Sequence, residues 1–146
     1  PQGVSKYLEK ISGPLLDRID LHVPVLNLTE DELLSAPNGE SSAVIRQRVI
    51  AARNIQQQRF AQINNIIYCN AQMGTRELNM FCSISNDSAM LLRQAISKFH
   101  LSPRAHDRIL KVARTIADLA GSSNIQAEHL LEAITYRTID REEWAL

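Results

Sequence analysis

Apolar residues recur at helical spacing through most of the chain. Between Ser42 and Ile63, the residues Ile45, Val49, Ala52, Phe60 and Ile63 fall on one stripe with Gln56, which predicts a long amphipathic helix. Arg46 and Arg53 flank one side of that stripe and Arg48 and Arg59 the other. Their stems are expected to cover the stripe while the guanidinium groups reach water. Thr75 is expected to cap a short helix ending near Cys82, with Glu77 in its first turn. Ser85 or Asn86 opens another, with Ser88, Leu92, Ala95, Ile96 and Phe99 facing inward and His100 suiting the negative end of its dipole. Ser102-Pro103 is a strong start signal, with Ser as N-cap and Pro at the first helical position. From there Ala105, Ile109, Val112, Ala113, Ile116 and Ala120 are spaced for one narrow face, and Gly121 ends the helix. A last helix is expected from about Gln126 to Arg137, burying Ala127, Leu130, Leu131 and Ile134. The small residues imply close helix packing, and five helices with short loops make a compact bundle. At about 95 residues it is large enough to be stable by itself.

The first part of the chain reads differently. In SKYLEKI, Tyr7, Leu8 and Ile11 share a helical face, and Gly13-Pro14 breaks it. Asp20 to Leu26 alternates polar and apolar like a half-buried strand, with Pro24 suggesting an edge. A lone strand lacks ladder partners, so this segment reads as the end of an α/β domain whose other strands lie upstream. Residues 27–42 are turn-rich. Thr29 can cap one helical turn through Leu33 and Leu34, with Glu30, Asp31 and Glu32 behind it, and Pro37-Asn38-Gly39 marks a linker. The expected organisation is therefore a core remnant at 1–28, a linker at 29–41, a helical domain at 42–137 and a tail at 138–146, in which Trp144 docks. The fold class is mainly α, a helical bundle with a short N-terminal helix–strand remnant.

Charge and composition narrow the function classes. Lys+Arg and Asp+Glu both number 16, giving zero net charge, which excludes a strongly basic nucleic-acid module but not a local patch. Such a patch exists, since Ser41 to Arg76 holds five arginines and no acid. Aromatics at 5% argue against a stacking surface for single-stranded bases. No apolar run approaches the roughly 18–20 residues that span a bilayer, so no membrane partner is expected. The start PQGVSKYLEK has no apolar h-region and no initiator Met; it reads as a cut inside a longer, cytoplasmic protein rather than a signal peptide. Cys69 and Cys82 form no C-x-x-C, and His22, His100, His106 and His129 have no zinc-site spacing, so reduced thiols and no metal site are expected.

No phosphate-binding G-x-x-x-x-G-K-[ST] and no G-x-S-x-G occur, so the chain holds no complete catalytic centre. Two arginines stand out. Arg104 falls at the second position of its predicted helix, where the macrodipole disfavours a cation by roughly 0.3–1 kcal/mol. It is either a solvated surface arginine or one that meets an anion at the helix start. Arg18, in LLDRID, either pairs with Asp17 or Asp20 or is presented toward a neighbour's phosphate.

KYLEKISGPLLDRIDLHVPV resembles the segment after sensor 1 in magnesium chelatase-related AAA+ ATPases. SPRAHDRILKVARTIADLAG, followed by NIQAEHLLEAITYR, resembles the sensor 2 helix and final lid helix of the same group, in the ComM/YifB family. The resemblance runs from about Tyr7 to Arg137, and the pairing of GPLLDRIDL with SPRAHDRILKVARTIADL is specific. It implies that residues 1–28 end an AAA+ α/β core and residues 42–137 form its helical lid. Arg18 matches the arginine finger, acting in trans on the adjacent subunit's nucleotide, and Arg104 matches the sensor 2 arginine, which binds nucleotide. Walker A, Walker B and sensor 1 are absent from this stretch. The implied full-length protein is a homo-hexameric ATPase that uses ATP and Mg2+ and moves DNA in competence. The 146 residues alone are expected to be monomeric, to hold no tight cofactor and not to hydrolyse ATP. Two other functions fit less well: the motor subunit of a metal-inserting chelatase, and a helical interaction domain without nucleotide. Nothing in the sequence assigns nucleic-acid-binding residues.

Overall fold

The computed structural model describes residues 15, 18–23, 25, 27–34, 39–61, 63 and 67–142, without the side chains of residues 32, 33 and 138–142. The helix around Tyr7, Leu8 and Ile11, the Gly13-Pro14 break and Trp144 fall outside the described residues. Among those described, every regular element is helical: α1 (Glu30–Leu34), α2 (Ser42–Phe60), a 3-10 turn (Asn70–Gln72), α3 (Thr75–Phe81), α4 (Asn86–Lys98), α5 (Pro103–Leu119) and α6 (Ala127–Glu142). The protein is mainly helical, and the single turn expected after Thr29 is α1.

The strand expected at Asp20–Leu26 does not form among the described residues of that run. Alternation can only become a strand when another strand supplies the ladder. Here the backbone finds a helix instead, and the His22 N–H donates to the Tyr136 carbonyl at 2.9 Å.

α5 is the centre of the bundle. It packs against α6, α2, α3 and the 3-10 turn, while α6 also packs against α4. Ala105, Ile109, Ala113 and Ala117 are completely buried along one line of α5, and the small size of the three alanines lets α6 approach with its own buried Leu130 and Ala133. Val112 and Ile116 pack beside the core only partly buried, and Ala120 is exposed. α5 ends as Gly121 predicts. Gly121 has φ 67°, its N–H reaches the Asp118 carbonyl and the Ser122 N–H reaches Ala117, the paired bonds of a Schellman cap. α4 ends the same way with a residue that fits less easily. His100 takes φ 48°, and the Leu101 N–H bonds the Ile96 carbonyl at 3.0 Å.

Several expectations shift. α3 is capped one residue earlier than predicted, at Gly74, because the Glu77 carboxylate accepts the Gly74 N–H at 2.9 Å. In α6 the buried line is Leu130, Ala133, Ile134 and Arg137. Leu131 lies one residue, and so about 100°, off that line and is 47% exposed; Ala127 is exposed too. α6 also continues to Glu142 instead of stopping at Arg137. In α2 only Ala52, Gln56 and Phe60 are buried. Ile45 and Val49, expected in the stripe, stay exposed, as do Val44 and Ile50. The stripe says which side a neighbour would cover; α5 and the 3-10 turn meet only the last turns of α2, through Gln56 and Arg59.

Arg59 corrects the reading of the basic stretch. Its guanidinium turns inward, forks onto the Asp118 carboxylate and bonds Asn70 Oδ1 at 3.0 Å, leaving 13% of the side chain exposed. The fully buried Asp118 also accepts Arg114 Nε at 3.1 Å and Asn70 Nδ2 at 2.8 Å. Arg114 in turn donates to the Ser122 and Ser123 carbonyls, so the loop after α5 is fastened to its last turns. Burial lowers the Arg114 pKa from its ordinary value, opposed by Asp118.

Candidate functional site

α5 starts at Ser102 with extended backbone, φ −70° and ψ 158°, and Pro103 at its first position. The cap differs from expectation in one respect. The Ser102 hydroxyl makes no hydrogen bond among the described residues, and the Ala105 N–H bonds the Ser102 carbonyl at 2.9 Å. Arg104 follows at the second helical position, where the sequence places it. It is exposed and has no hydrogen bond or ion pair among the described residues.

Successive turns place Arg104, Arg108 and Lys111 beside one cleft of about 330 Å3, together with Asp20, Asp107 and Ala71. Two of the three cations are already held. Lys111 Nζ donates to the Ala71 carbonyl at 3.1 Å, and Arg108 pairs with Asp20. Asp107 bonds His106 Nδ1 at 2.9 Å. Arg104 thus remains as a cation at the positive end of a helix, and an anion there would meet both. Asp20, Ala71 and Lys111 also border an apolar groove of about 300 Å3 that runs between α5 and α6 past Val112, Ile116 and Tyr136.

Arg18 is exposed, in a turn closed by its N–H on the Leu15 carbonyl at 2.9 Å. Of the two aspartates weighed as its ion-pair partners, Asp20 bonds Arg108 and Asp17 falls outside the described residues. The structure brings Arg18 to the same end of α5 as Arg104, since Arg108 Nη1 donates to the Arg18 carbonyl at 2.7 Å. Neighbouring Ile19 offers its carbonyl to Arg137 of α6.

Arg108, Lys111 and Arg137 were not singled out by the sequence. Arg108 and Lys111 could have been, because they follow Arg104 at spacings of four and three, on one side of a helix. Arg137 could not, because its contact with Ile19 spans 118 positions. Among the described residues no group of three or more His, Cys, Asp or Glu could hold a metal ion. No helix among them is long and apolar enough to cross a membrane. Cys69 and Cys82 are both free thiols, and burial pushes the Cys82 pKa up to about 11, with Arg114 and Arg59 opposing the shift.

Comparison with known proteins identifies the bundle. The model of the C-terminal region of magnesium chelatase subunit ChlI matches residues 39–137, and the model of magnesium chelatase subunit ChlI matches residues 1–33. The chain is 41% identical over 142 residues to competence protein ComM of Haemophilus influenzae, covering 97% of this chain and 27% of that protein. It is 43% identical over 143 residues to uncharacterized protein YifB of Escherichia coli, again 97% and 27%. With uncharacterized protein Rv2897c of Mycobacterium tuberculosis it shares 37% over 132 residues, 90% of this chain and 26% of that one. The chain thus spans about a quarter of the length of these relatives. It belongs to the magnesium chelatase ChlI C-terminal family, as the helical lid module of a ComM/YifB-type protein.

Proposed function

We propose that this chain is the sensor 2 lid of an ATP-driven motor, with Arg104 as its contact to nucleotide phosphate. The observation that carries this reading is the placement of Arg104: an exposed guanidinium, without a partner among the described residues, at the positive start of α5 and beside a cationic cleft. A planar, always charged fork in that field is suited to a phosphate oxygen and to the charge that develops on it during transfer. Arg18 is the catalytic arginine of this reading, beside the nucleotide-binding Arg104. It reaches from its turn toward nucleotide held by a neighbouring subunit, in the manner of an arginine finger.

The family suggests ATP and Mg2+ in the full-length protein. Mg2+ there would neutralise charge on the β- and γ-phosphates. In this reading the contribution of the described residues is the two guanidinium groups and the field of α5. The intact assembly in this reading is a cytoplasmic homo-hexameric ring. The exposed aliphatic side chains of α2, Val44, Ile45, Val49 and Ile50, support a role in contact between subunits, because such a cluster is stabilised when a neighbour covers it. The motor acts on DNA in this proposal, supported by the similarity to a protein named for competence. The chelatase family description supports a second reading, a motor that remodels a metal-inserting partner.

The test is ATP turnover of the full-length protein with and without forked DNA, for wild type and Arg104→Ala. Wild-type turnover rising with DNA, and a fall of roughly tenfold or more in the variant, are expected. Unchanged turnover in Arg104→Ala would remove the sensor assignment, and turnover indifferent to DNA would move the reading to the remodelling motor.

A further inference from the structure

We propose that Arg108 is a positioning residue for Arg18: from the second turn of α5 it fixes the backbone that carries the proposed finger. This rests on the reading of Arg18 given above.

The segment around Arg18 has no strand ladder of its own among the described residues. What holds it comes from two helices far along the chain. Arg108 Nη1 donates to the Arg18 carbonyl at 2.7 Å and to the Asp20 carboxylate. Arg137 of α6 donates to the Ile19 carbonyl. The His22 N–H then bonds the Tyr136 carbonyl, also of α6, at 2.9 Å. Residues 18, 19, 20 and 22 are each attached to the α5–α6 pair, whose facing residues Ala105, Ala113, Leu130 and Ala133 are completely buried.

The consequence is mechanical. Arg104 and Arg108 are one turn apart on the same helix, about 6 Å along its axis. Arg104 and the Arg18 backbone are thus tied to one helix, so any displacement of α5 carries both, the second through Arg108. Both bonds leave one nitrogen, Nη1, whose two N–H groups are held in the plane of the guanidinium, so the carbonyl and the carboxylate are gripped in a fixed relation.

The experiment compares Arg18→Ala, Arg108→Ala and the double variant in the full-length protein, reading kcat, KM for ATP and the thermal midpoint. A finger alters turnover by about 10³–10⁵-fold, so Arg18→Ala is expected to lower kcat strongly. Loss of positioning alone is expected to lower kcat by roughly ten- to a hundredfold, with KM and the thermal midpoint nearly unchanged. In the Arg18→Ala background, Arg108→Ala is expected to cost nothing more. A fall with Arg18→Ala and none with Arg108→Ala overturns the positioning role alone. Effects that multiply in the double variant also overturn it, since Arg108 would then act without Arg18. If Arg18→Ala leaves turnover unchanged, the finger reading itself fails and the positioning role falls with it.

Discussion

Cys82 lies in the core with 3% of its surface exposed. Its thiol is pushed from 9.0 up to about 11, chiefly by burial. The thiolate therefore belongs to the unfolded chain first. Below pH 9 both states keep the proton and the group makes no pH-dependent contribution. Between pH 9 and 11 the unfolded chain releases a proton that the folded chain retains, so stability falls as pH rises. Two units of difference correspond to on the order of 2–3 kcal/mol. Urea midpoints at pH 8 and pH 10.5 are expected to drop further for wild type than for Cys82→Ala. An equal drop in both would mean that other groups set the alkaline loss. The Arg59 result is of the same scale. A sequence pattern placed it beside a stripe with its charge in water; its position opposite a carboxylate 59 residues later is invisible to any local count.

Helices differ in how much of their pattern is used. α5 buries a line of small residues against α6, and its start and stop signals, Pro103 and Gly121, operate where they stand in the sequence. α2 carries an equally regular stripe, yet only its last turns are covered. Phe60 is 3% exposed and meets Phe81 edge to face, with ring centroids 5.7 Å apart. Phe60→Ala is expected to cost about 3–5 kcal/mol, through lost transfer energy and the cavity left behind. Val49→Ala, at 45% exposure, is expected to change stability by less than about 0.5 kcal/mol. Chemical denaturation of the two variants separates them; comparable losses would mean that the first half of α2 is covered in solution.

Across the whole molecule, the buried cluster on Asp118 joins parts that the hydrophobic pattern treats as independent. Arg59 comes from α2, Asn70 from the 3-10 turn, Arg114 from α5 and the bonded carbonyls of Ser122 and Ser123 from the loop before α6. A buried ion pair adds little over well-packed apolar residues, but removing one partner strands the other charges. Asp118→Ala leaves two guanidinium groups in the core and is expected to cost about 3–5 kcal/mol. Replacing Arg59, Arg114 and Asp118 together by apolar residues is expected to cost less than Asp118→Ala alone. A triple variant that is less stable than Asp118→Ala would show that the network contributes net stability beyond its own compensation.

The sequence by itself determined where the helices of the bundle begin, to within a residue, and where α5 ends, because caps, glycine stops and helical periodicity are local physics; α6, with no such stop, runs five residues past its expected end at Arg137. It also marked Arg104, since a cation in the first turn of a helix is a local anomaly. Tertiary structure alone decided which faces found a partner: the exposed start of α2, the outward Leu131 and the bond of His22 to α6 in place of a strand ladder follow from where neighbouring elements lie. Tertiary structure alone also joined Arg18 to α5 through Arg108, across 90 positions of chain. A hydrogen bond depends on distance in space, and only packing of the intervening helices sets that distance.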